Sequence, residues 1–165
     1  MAQITFKGAA VNTLGELPAV GSQAPDFALV NTDLSTVTLA DFAGKKVIIN
    51  IFPSVDTGVC AMQLKTFSKC AAGMDDVVLL FVSLDLPFAF SRFCGAEGIE
   101  NAVTASDFRS LTFAEDYGIE MEDGPLAGLF ARATLVLDTD HKIKYAELVP
   151  EITQEPDYDA AMAAI

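Results

Sequence analysis

The sequence predicts an α/β fold with a mixed central sheet, helices on both faces of the sheet and a β-hairpin at the N-terminus. Short apolar runs alternate with helical patterns from residue 27 onward, which is typical of parallel strands joined by helical crossovers. Tight-turn signals also separate pairs of strand-like runs near both ends of the chain. Of the 165 residues, 52% are hydrophobic and only 20% are charged, so the chain can bury a substantial core.

The elements follow from these patterns in chain order. A hairpin is predicted over residues 4–6 and 11–14, around Lys7-Gly8, ahead of a loop over residues 18–25. The predicted strands are 47–52, 77–84, 102–105, 132–137 and 142–148, and the predicted helices are 58–72, 87–94, 108–117 and 156–163. The last two strands flank a tight turn and form a second hairpin. This is the outline of a thioredoxin-like sandwich, and because no linker or repeat divides the chain we predict one domain over residues 1–165.

The charge balance excludes several classes of partner. The chain has 10 Lys and Arg residues against 23 Asp and Glu residues, a formal net charge of −13, and no basic cluster. Nucleic acid and anionic membrane surfaces are therefore not expected as partners. No apolar run approaches the roughly 18 residues that a membrane helix needs. The first residues also lack the pattern of a secretory signal, so we expect a cytoplasmic location.

The cysteine content indicates reactive or buried thiols rather than a disulfide framework. The three cysteines, Cys60, Cys70 and Cys94, are an odd number and include no Cys-x-x-Cys pair. That absence argues against a thioredoxin-like disulfide reductase. A zinc site built from these cysteines and the single histidine, His141, would lack the usual close ligand spacing. We expect His141 to be exposed in its polar hairpin turn.

The candidate reactive residues lie at the junction between the predicted strand 47–52 and the predicted helix 58–72. Cys60 falls in the first helical turn, where unpaired N–H groups and the positive end of the helix dipole favour the thiolate. Thr57, three residues earlier, can place its hydroxyl against that sulfur. Pro53 has no N–H and can line the pocket with an apolar ring. Such a site suits a nucleophile that attacks the O–O bond of a peroxide.

The same stretch resembles the peroxiredoxins through their Pro-x-x-x-Thr-x-x-Cys motif at residues 53–60. Three further segments are similar to the bacterial thiol peroxidases, the atypical two-cysteine branch of that family. They are NIFPSVDTGVC at residues 50–60, RFCGAEGIEN at residues 92–101 and GPLAGL at residues 124–129, followed by Arg132. The resemblance covers essentially the whole chain, and it implies that this chain is an enzyme.

The resemblance implies a role for each site residue. Cys60 is the peroxidatic cysteine, which attacks a hydroperoxide and becomes a sulfenic acid. Cys94 is the resolving cysteine, which forms an intrachain disulfide with Cys60 that thioredoxin then reduces. Arg132 stabilises the thiolate and the charge that develops on the peroxide oxygens, Thr57 hydrogen-bonds the sulfur and the substrate, and Pro53 shields the pocket.

The resemblance also implies hydrogen peroxide and organic hydroperoxides as substrates, a homodimer, and no metal, haem or flavin cofactor. Typical two-cysteine peroxiredoxins resolve with a cysteine near the C-terminus of a partner chain. No cysteine follows Cys94 in this sequence, so we expect resolution within one chain. The alternative is a redox sensor or interaction protein on the same fold, in which the same disulfide reports oxidation to a partner. Catalytic turnover distinguishes the two functions.

Two further features have structural interpretations. Cys70 lies ten residues beyond Cys60 on the predicted helix, about 15 Å of helical rise, whereas a disulfide needs Cα atoms within roughly 7 Å. We therefore interpret Cys70 as a packing residue, and expect Leu64 and Phe67 on the Cys60 face. The phenylalanine-rich stretch over residues 86–93 either lines a channel for hydrophobic peroxides or packs into the core, and we favour packing.

Overall fold

A computed structural model describes the whole chain, residues 1–165. Its nine strands are β1 (Gln3–Phe6), β2 (Ala9–Asn12), β3 (Ala28–Asn31), β4 (Thr36–Thr38), β5 (Lys46–Ile51), β6 (Val77–Ser83), β7 (Ala102–Ser106), β8 (Ala133–Leu137) and β9 (Ile143–Leu148). Its four α-helices are α1 (Gly58–Cys70), α2 (Pro87–Glu97), α3 (Thr112–Tyr117) and α4 (Tyr158–Ala163). None of the helices is both long and apolar enough to cross a membrane.

The main sheet has seven strands in the order β4-β3-β7-β6-β5-β8-β9. The central strands β5, β6 and β7 are parallel, and the other pairings are antiparallel. Helices separate the parallel strands along the chain, because parallel neighbours need a crossover connection. The predicted mixed sheet and the terminal β8–β9 hairpin are therefore confirmed.

The central strands are buried on both faces, which explains their almost continuous apolar sequence. In β5, the side chains of Val47, Ile49 and Ile51 pack into one core with residues of α3. Ile48 and Phe52 pack into a second core with residues of α1, α2 and α4. Helices thus cover both faces of the sheet, as the sequence predicts.

The N-terminal hairpin forms a separate two-stranded sheet, β1 paired with β2. Its turn residues Lys7 and Gly8 both have positive φ, 51° and 82°, the geometry that two-residue hairpin loops favour because it matches the twist of the strands. The strands begin and end up to two residues earlier than predicted. The hairpin covers a third, small core that contains Ile4, Val11 and Ile152.

Four helix boundaries differ from the prediction. Helix α1 ends at Cys70, two residues before the predicted end. Helix α3 begins at Thr112 and not at residue 108, because the Asp107 carboxylate accepts hydrogen bonds from the Ser110 hydroxyl and the Ala114 N–H. These contacts hold the intervening residues as a turn that caps the helix. Helix α2 continues to Glu97, three residues beyond the predicted end, and stops at Gly98 in the left-handed conformation. Helix α4 begins at Tyr158, two residues later than predicted.

The expectation that His141 is exposed is wrong. Its side chain is 8% exposed, and Nε2 donates to the carbonyl oxygen of Phe42 at 2.9 Å. Thr139 and Asp140 of the β8–β9 turn are exposed, but His141 is covered because the segment before β3 pairs with the end of the turn: the Ala24 N–H donates to the His141 carbonyl at 3.0 Å. His141 is thus a structural residue that joins this turn to the chain around Phe42.

Candidate active site

Cys60 lies in the first turn of α1, directly after the loop that leaves β5. Its side chain is 0% exposed. The first hydrogen bond of the helix runs from the Ala61 N–H to the Thr57 carbonyl, so the N–H groups of Gly58, Val59 and Cys60 have no partner within the helix. The sulfur is consequently held at the positive end of α1, where negative charge is stabilised.

Arg132, the residue before β8, is 2% exposed and reaches this sulfur. Its Nη1 donates to the Cys60 Sγ at 3.3 Å, and its Nε and Nη2 both donate to the Ile152 carbonyl oxygen, at 3.0 and 2.9 Å. No carboxylate forms an ion pair with Arg132. A buried guanidinium without a carboxylate partner can stabilise a negative charge on a neighbouring group, and of the three groups that Arg132 contacts only the Cys60 thiol can ionise.

A buried polar chain lies behind the Cys60–Arg132 contact. Arg132 Nη1 also donates to Gln63 Oε1 at 2.9 Å, and Gln63 Nε2 donates to Asn50 Oδ1 at 3.3 Å. Gln63 and Asn50 are both fully buried. Sequence reasoning missed both residues. The sequence could have indicated Gln63, because a residue three positions after Cys60 lies on the same face of the helix.

A cavity of about 160 Å³ opens beside the site and brings Pro53, Thr57 and Arg132 together. The rest of its lining is mainly apolar and includes Phe6 from the hairpin and Leu126. Thr57 does not make the predicted contact with the sulfur: its hydroxyl donates to the Ser54 carbonyl at 3.0 Å. The hydroxyl oxygen keeps its acceptor capacity for a group that enters the cavity.

The loop that carries Pro53 and Thr57 is fixed by Asp85, a residue that sequence reasoning also missed. One Asp85 carboxylate oxygen accepts from the Ser54 hydroxyl at 2.8 Å. The other accepts from the Val55 N–H at 2.9 Å and from the Ser83 hydroxyl at 2.6 Å. Because Ser83 ends β6, these bonds attach the loop to the neighbouring strand and hold the first turn of α1 in place.

Cys94 lies on α2, outside the cavity, and all three cysteines are free thiols. Its side chain is half-buried, and burial raises the pKa of the Cys94 thiol. Two ion pairs on either side of Cys94 connect α2 to the Cys60 segment. Arg92 contacts Asp56 at 2.7 Å, and Glu97 contacts Lys65 at 2.8 Å. The structure therefore brings Cys60 and Arg132 into contact and holds Cys94 on a separate helix.

Comparisons with known proteins place the chain in a family. The Redoxin family model matches residues 19–162. A thiol peroxidase of Mycobacterium bovis is 58% identical over 165 residues, which cover 100% of this chain and 99% of the relative. A thiol peroxidase of Corynebacterium glutamicum is 53% identical over the same length, with the same coverage of both chains. The chain belongs to the thiol peroxidases, a branch of the peroxiredoxins.

The solved structures agree with this assignment of the thiol peroxidase fold. A crystal structure of a peroxiredoxin-like protein from Aquifex aeolicus superimposes with a TM-score of 0.93 at 38% identity, covering 99% of this chain and 95% of the other. The family resemblance, the thioredoxin-like fold and the peroxidase class predicted from sequence are all confirmed.

The phenylalanine-rich stretch of this thiol peroxidase has a mixed outcome. Phe90 is fully buried and Phe93 packs against the same core, as predicted. Phe88, by contrast, is 65% exposed, because it lies on the outer face of α2. None of the three lines the cavity beside Arg132.

In this thiol peroxidase, Cys70 is too far from Cys60 to form a disulfide, as predicted, but it is less completely packed than a core residue. Helix α1 is continuous from Gly58 to Cys70, so the helical rise keeps the two sulfurs apart. The side chain of Cys70 is only half-buried. The expected inward face is confirmed, because Leu64 and Phe67 pack with Cys60 in one core.

Proposed function

We propose that Cys60 is the peroxidatic cysteine of this thiol peroxidase. The observation that carries the proposal is the 3.3 Å contact between Arg132 Nη1 and the Cys60 sulfur beside a cavity of about 160 Å³. The thiolate attacks the terminal peroxide oxygen, a sulfur–oxygen bond forms and the O–O bond breaks. The sulfur becomes a sulfenic acid, and the departing oxygen takes up a proton to leave as water or an alcohol.

Three residues that line the cavity assist this step. The Arg132 guanidinium stabilises the thiolate and the negative charge that develops on the departing oxygen. The Thr57 hydroxyl oxygen accepts a hydrogen bond from the bound hydroperoxide, because its own O–H donates to the Ser54 carbonyl. Pro53 presents a ring without an N–H donor and limits the entry of water into the cavity.

Cys94 is the resolving cysteine in this proposal. Its thiolate attacks the Cys60 sulfenic acid, hydroxide leaves as water after protonation, and an intrachain Cys60–Cys94 disulfide forms. Thioredoxin, as a dithiol, then reduces this disulfide to two thiols. Because Cys60 and Cys94 lie on separate helices, we infer that disulfide formation involves local opening of α2 and separation of the Arg92–Asp56 and Lys65–Glu97 pairs.

The cavity supports hydrogen peroxide and organic hydroperoxides as substrates. Its polar lining residues are Thr57, Thr153 and Arg132, of which Arg132 contacts the sulfur. Phe6 and Leu126 offer apolar surface to an alkyl chain. The proposal includes the homodimer that the family resemblance implies. One continuous seven-stranded sheet supports a single peroxidase domain over residues 1–165, and an odd number of cysteines without a Cys-x-x-Cys pair supports a reducing, cytoplasmic location.

Catalytic turnover tests the proposal against the redox-sensor alternative. We expect the intact protein, with thioredoxin, thioredoxin reductase and NADPH, to consume many peroxide molecules per chain at a constant rate. The reason is that each cycle regenerates both thiols. NADPH oxidation followed at steady state measures this rate. Consumption of about one peroxide per chain, followed by arrest, would contradict the enzymatic cycle and favour the sensor.

Cys94→Ser is expected to stop thioredoxin-driven turnover while leaving the first oxidation of Cys60 intact. The variant keeps Cys60 and Arg132 but lacks the sulfur that closes the disulfide. Mass spectrometry of the protein after one equivalent of peroxide should show a trapped sulfenic acid in place of the disulfide. Cys70→Ser is the matched control, because Cys70 is another half-buried thiol, and it should turn over normally. Normal thioredoxin-driven turnover by Cys94→Ser would contradict the resolving role of Cys94.

A further inference from the structure

The N-terminal hairpin is attached to the segment that holds Arg132. The Thr5 N–H donates to the Pro150 carbonyl at 2.8 Å, and the Ile152 N–H donates to the Thr5 carbonyl at 2.9 Å. Strand β1 therefore pairs in parallel with residues 150–152. This pairing orients the Ile152 carbonyl, the oxygen that accepts both the Nε and the Nη2 hydrogen bonds of Arg132.

Glu151 stabilises this attachment through the hydrogen bonds that its side chain accepts. Its carboxylate accepts from the Thr5 hydroxyl, from the Lys7 N–H at 2.8 Å and from the Gly8 N–H at 3.2 Å. It also accepts from the Thr153 hydroxyl at 2.8 Å. These donors, with the Thr5 hydroxyl first among them, lower the pKa of Glu151 to about 2. A single carboxylate thus joins the hairpin turn, β1 and its own loop.

We propose that Glu151 is a positioning residue for peroxide reduction, which acts by fixing the Ile152 carbonyl and, through it, the Arg132 guanidinium at Cys60. The hairpin is then a part of the catalytic scaffold. A guanidinium has five donors in a rigid plane, so an acceptor that holds two of them also sets the direction of the third contact, here Nη1 to the sulfur. The inference rests on the proposed roles of Cys60 and Arg132.

The pattern of hydrogen bonds explains why the charge matters. Every group that faces the Glu151 carboxylate is a donor, and an amide in its place would turn its own NH₂ toward some of them. Glu151→Gln and Glu151→Ala should therefore both loosen the loop. The small core under the hairpin, with Ile4, Val11 and Ile152, remains in both variants, so the overall fold should persist.

The test compares the first oxidation of Cys60 in two backgrounds. The chain has no tryptophan, so the reaction with hydrogen peroxide is best followed by quenched flow and mass spectrometry. Glu151→Ala should slow this step by about 5- to 20-fold, the effect of weakening one charge-assisted hydrogen bond. The pH profile of iodoacetamide alkylation at Cys60 should move to higher pH. In an Arg132→Met background, Glu151→Ala should have no further effect on the rate.

Controls and contrary outcomes separate this inference from the proposed function. Asp33→Ala removes another carboxylate that accepts turn hydrogen bonds, from Ser35, on an exposed loop, and should leave the rate unchanged. Thr5→Val removes one donor to Glu151 and should give a smaller loss than Glu151→Ala. A normal rate in Glu151→Ala, or an equal loss in both backgrounds, would overturn the positioning role alone. A normal rate in Arg132→Met would overturn the role of Arg132 and this inference with it.

Discussion

Replacing Cys60 by serine is expected to abolish peroxide reduction, with a loss of more than about a thousandfold in rate. A serine hydroxyl stays protonated at neutral pH, and Arg132 alone cannot make it a comparable nucleophile. Steady-state NADPH oxidation with thioredoxin measures the loss, and mass spectrometry after peroxide treatment should show no sulfenic acid and no disulfide.

Two controls make this result interpretable. Thermal unfolding should show that Cys60→Ser is folded, because serine is close to cysteine in size and Arg132 Nη1 can donate to its hydroxyl. Cys70→Ser supplies a thiol deletion on the same helix. If Cys60→Ser kept a rate near that of the intact enzyme, the nucleophile would be another cysteine and the proposed site would be wrong.

Arg132→Met is expected to slow the first oxidation of Cys60 by about 100- to 1,000-fold, the usual effect of removing a preorganised donor from a developing negative charge. Methionine fills much of the space but supplies no charge and no donor. Quenched flow with hydrogen peroxide measures the step. The rate of Arg132→Lys should fall between those of the intact enzyme and Arg132→Met. Lysine keeps the charge but cannot make both hydrogen bonds to the Ile152 carbonyl.

The matched control is Arg109→Met, since Arg109 is an exposed arginine that stacks on Phe108, and its rate should be unchanged. Arg132→Met also leaves Gln63 Oε1 without its donor, at a cost of about 1–3 kcal/mol, so its stability is measured in parallel. A folded Arg132→Met enzyme with an undiminished rate would show that the Arg132–Cys60 contact plays no part in peroxide reduction.

Five of the seven strands of the main sheet could be predicted because they carry the information locally, whereas the short strands β3 and β4 were not predicted. Strands β5 and β6 are buried on both faces, so their near-continuous apolar sequence marks them. Side-chain capping is harder to see: Asp107 delays the start of α3, although residues 108–111 look helical in sequence. His141 illustrates a third case, since its burial depends on chain segments about 100 and 120 residues away in sequence.

Some residues of the candidate site could likewise be predicted from local sequence, and others could not. Pro53, Thr57 and Cys60 lie within eight residues, and their spacing around a strand-to-helix junction was sufficient to find them. Arg132 was visible only through the family resemblance, because nothing near it in sequence distinguishes it from a surface charge. Its main anchor, the Ile152 carbonyl, is a backbone atom. A backbone acceptor leaves no trace in the identity of the residue that carries it.

In the proposed cycle, the half-buried position of Cys94 couples disulfide formation to the opening of α2. Burial raises the pKa of this thiol above its ordinary value of 9.0, so the closed helix holds the Cys94 proton more tightly than the open helix does. The closed helix keeps its full stability below that ordinary value and loses stability as the pH rises through the higher one. In the proposed cycle, opening of α2 therefore frees Cys94 to reach Cys60 and at the same time makes its thiol easier to ionise, and we expect this opening to become more frequent in alkaline solution.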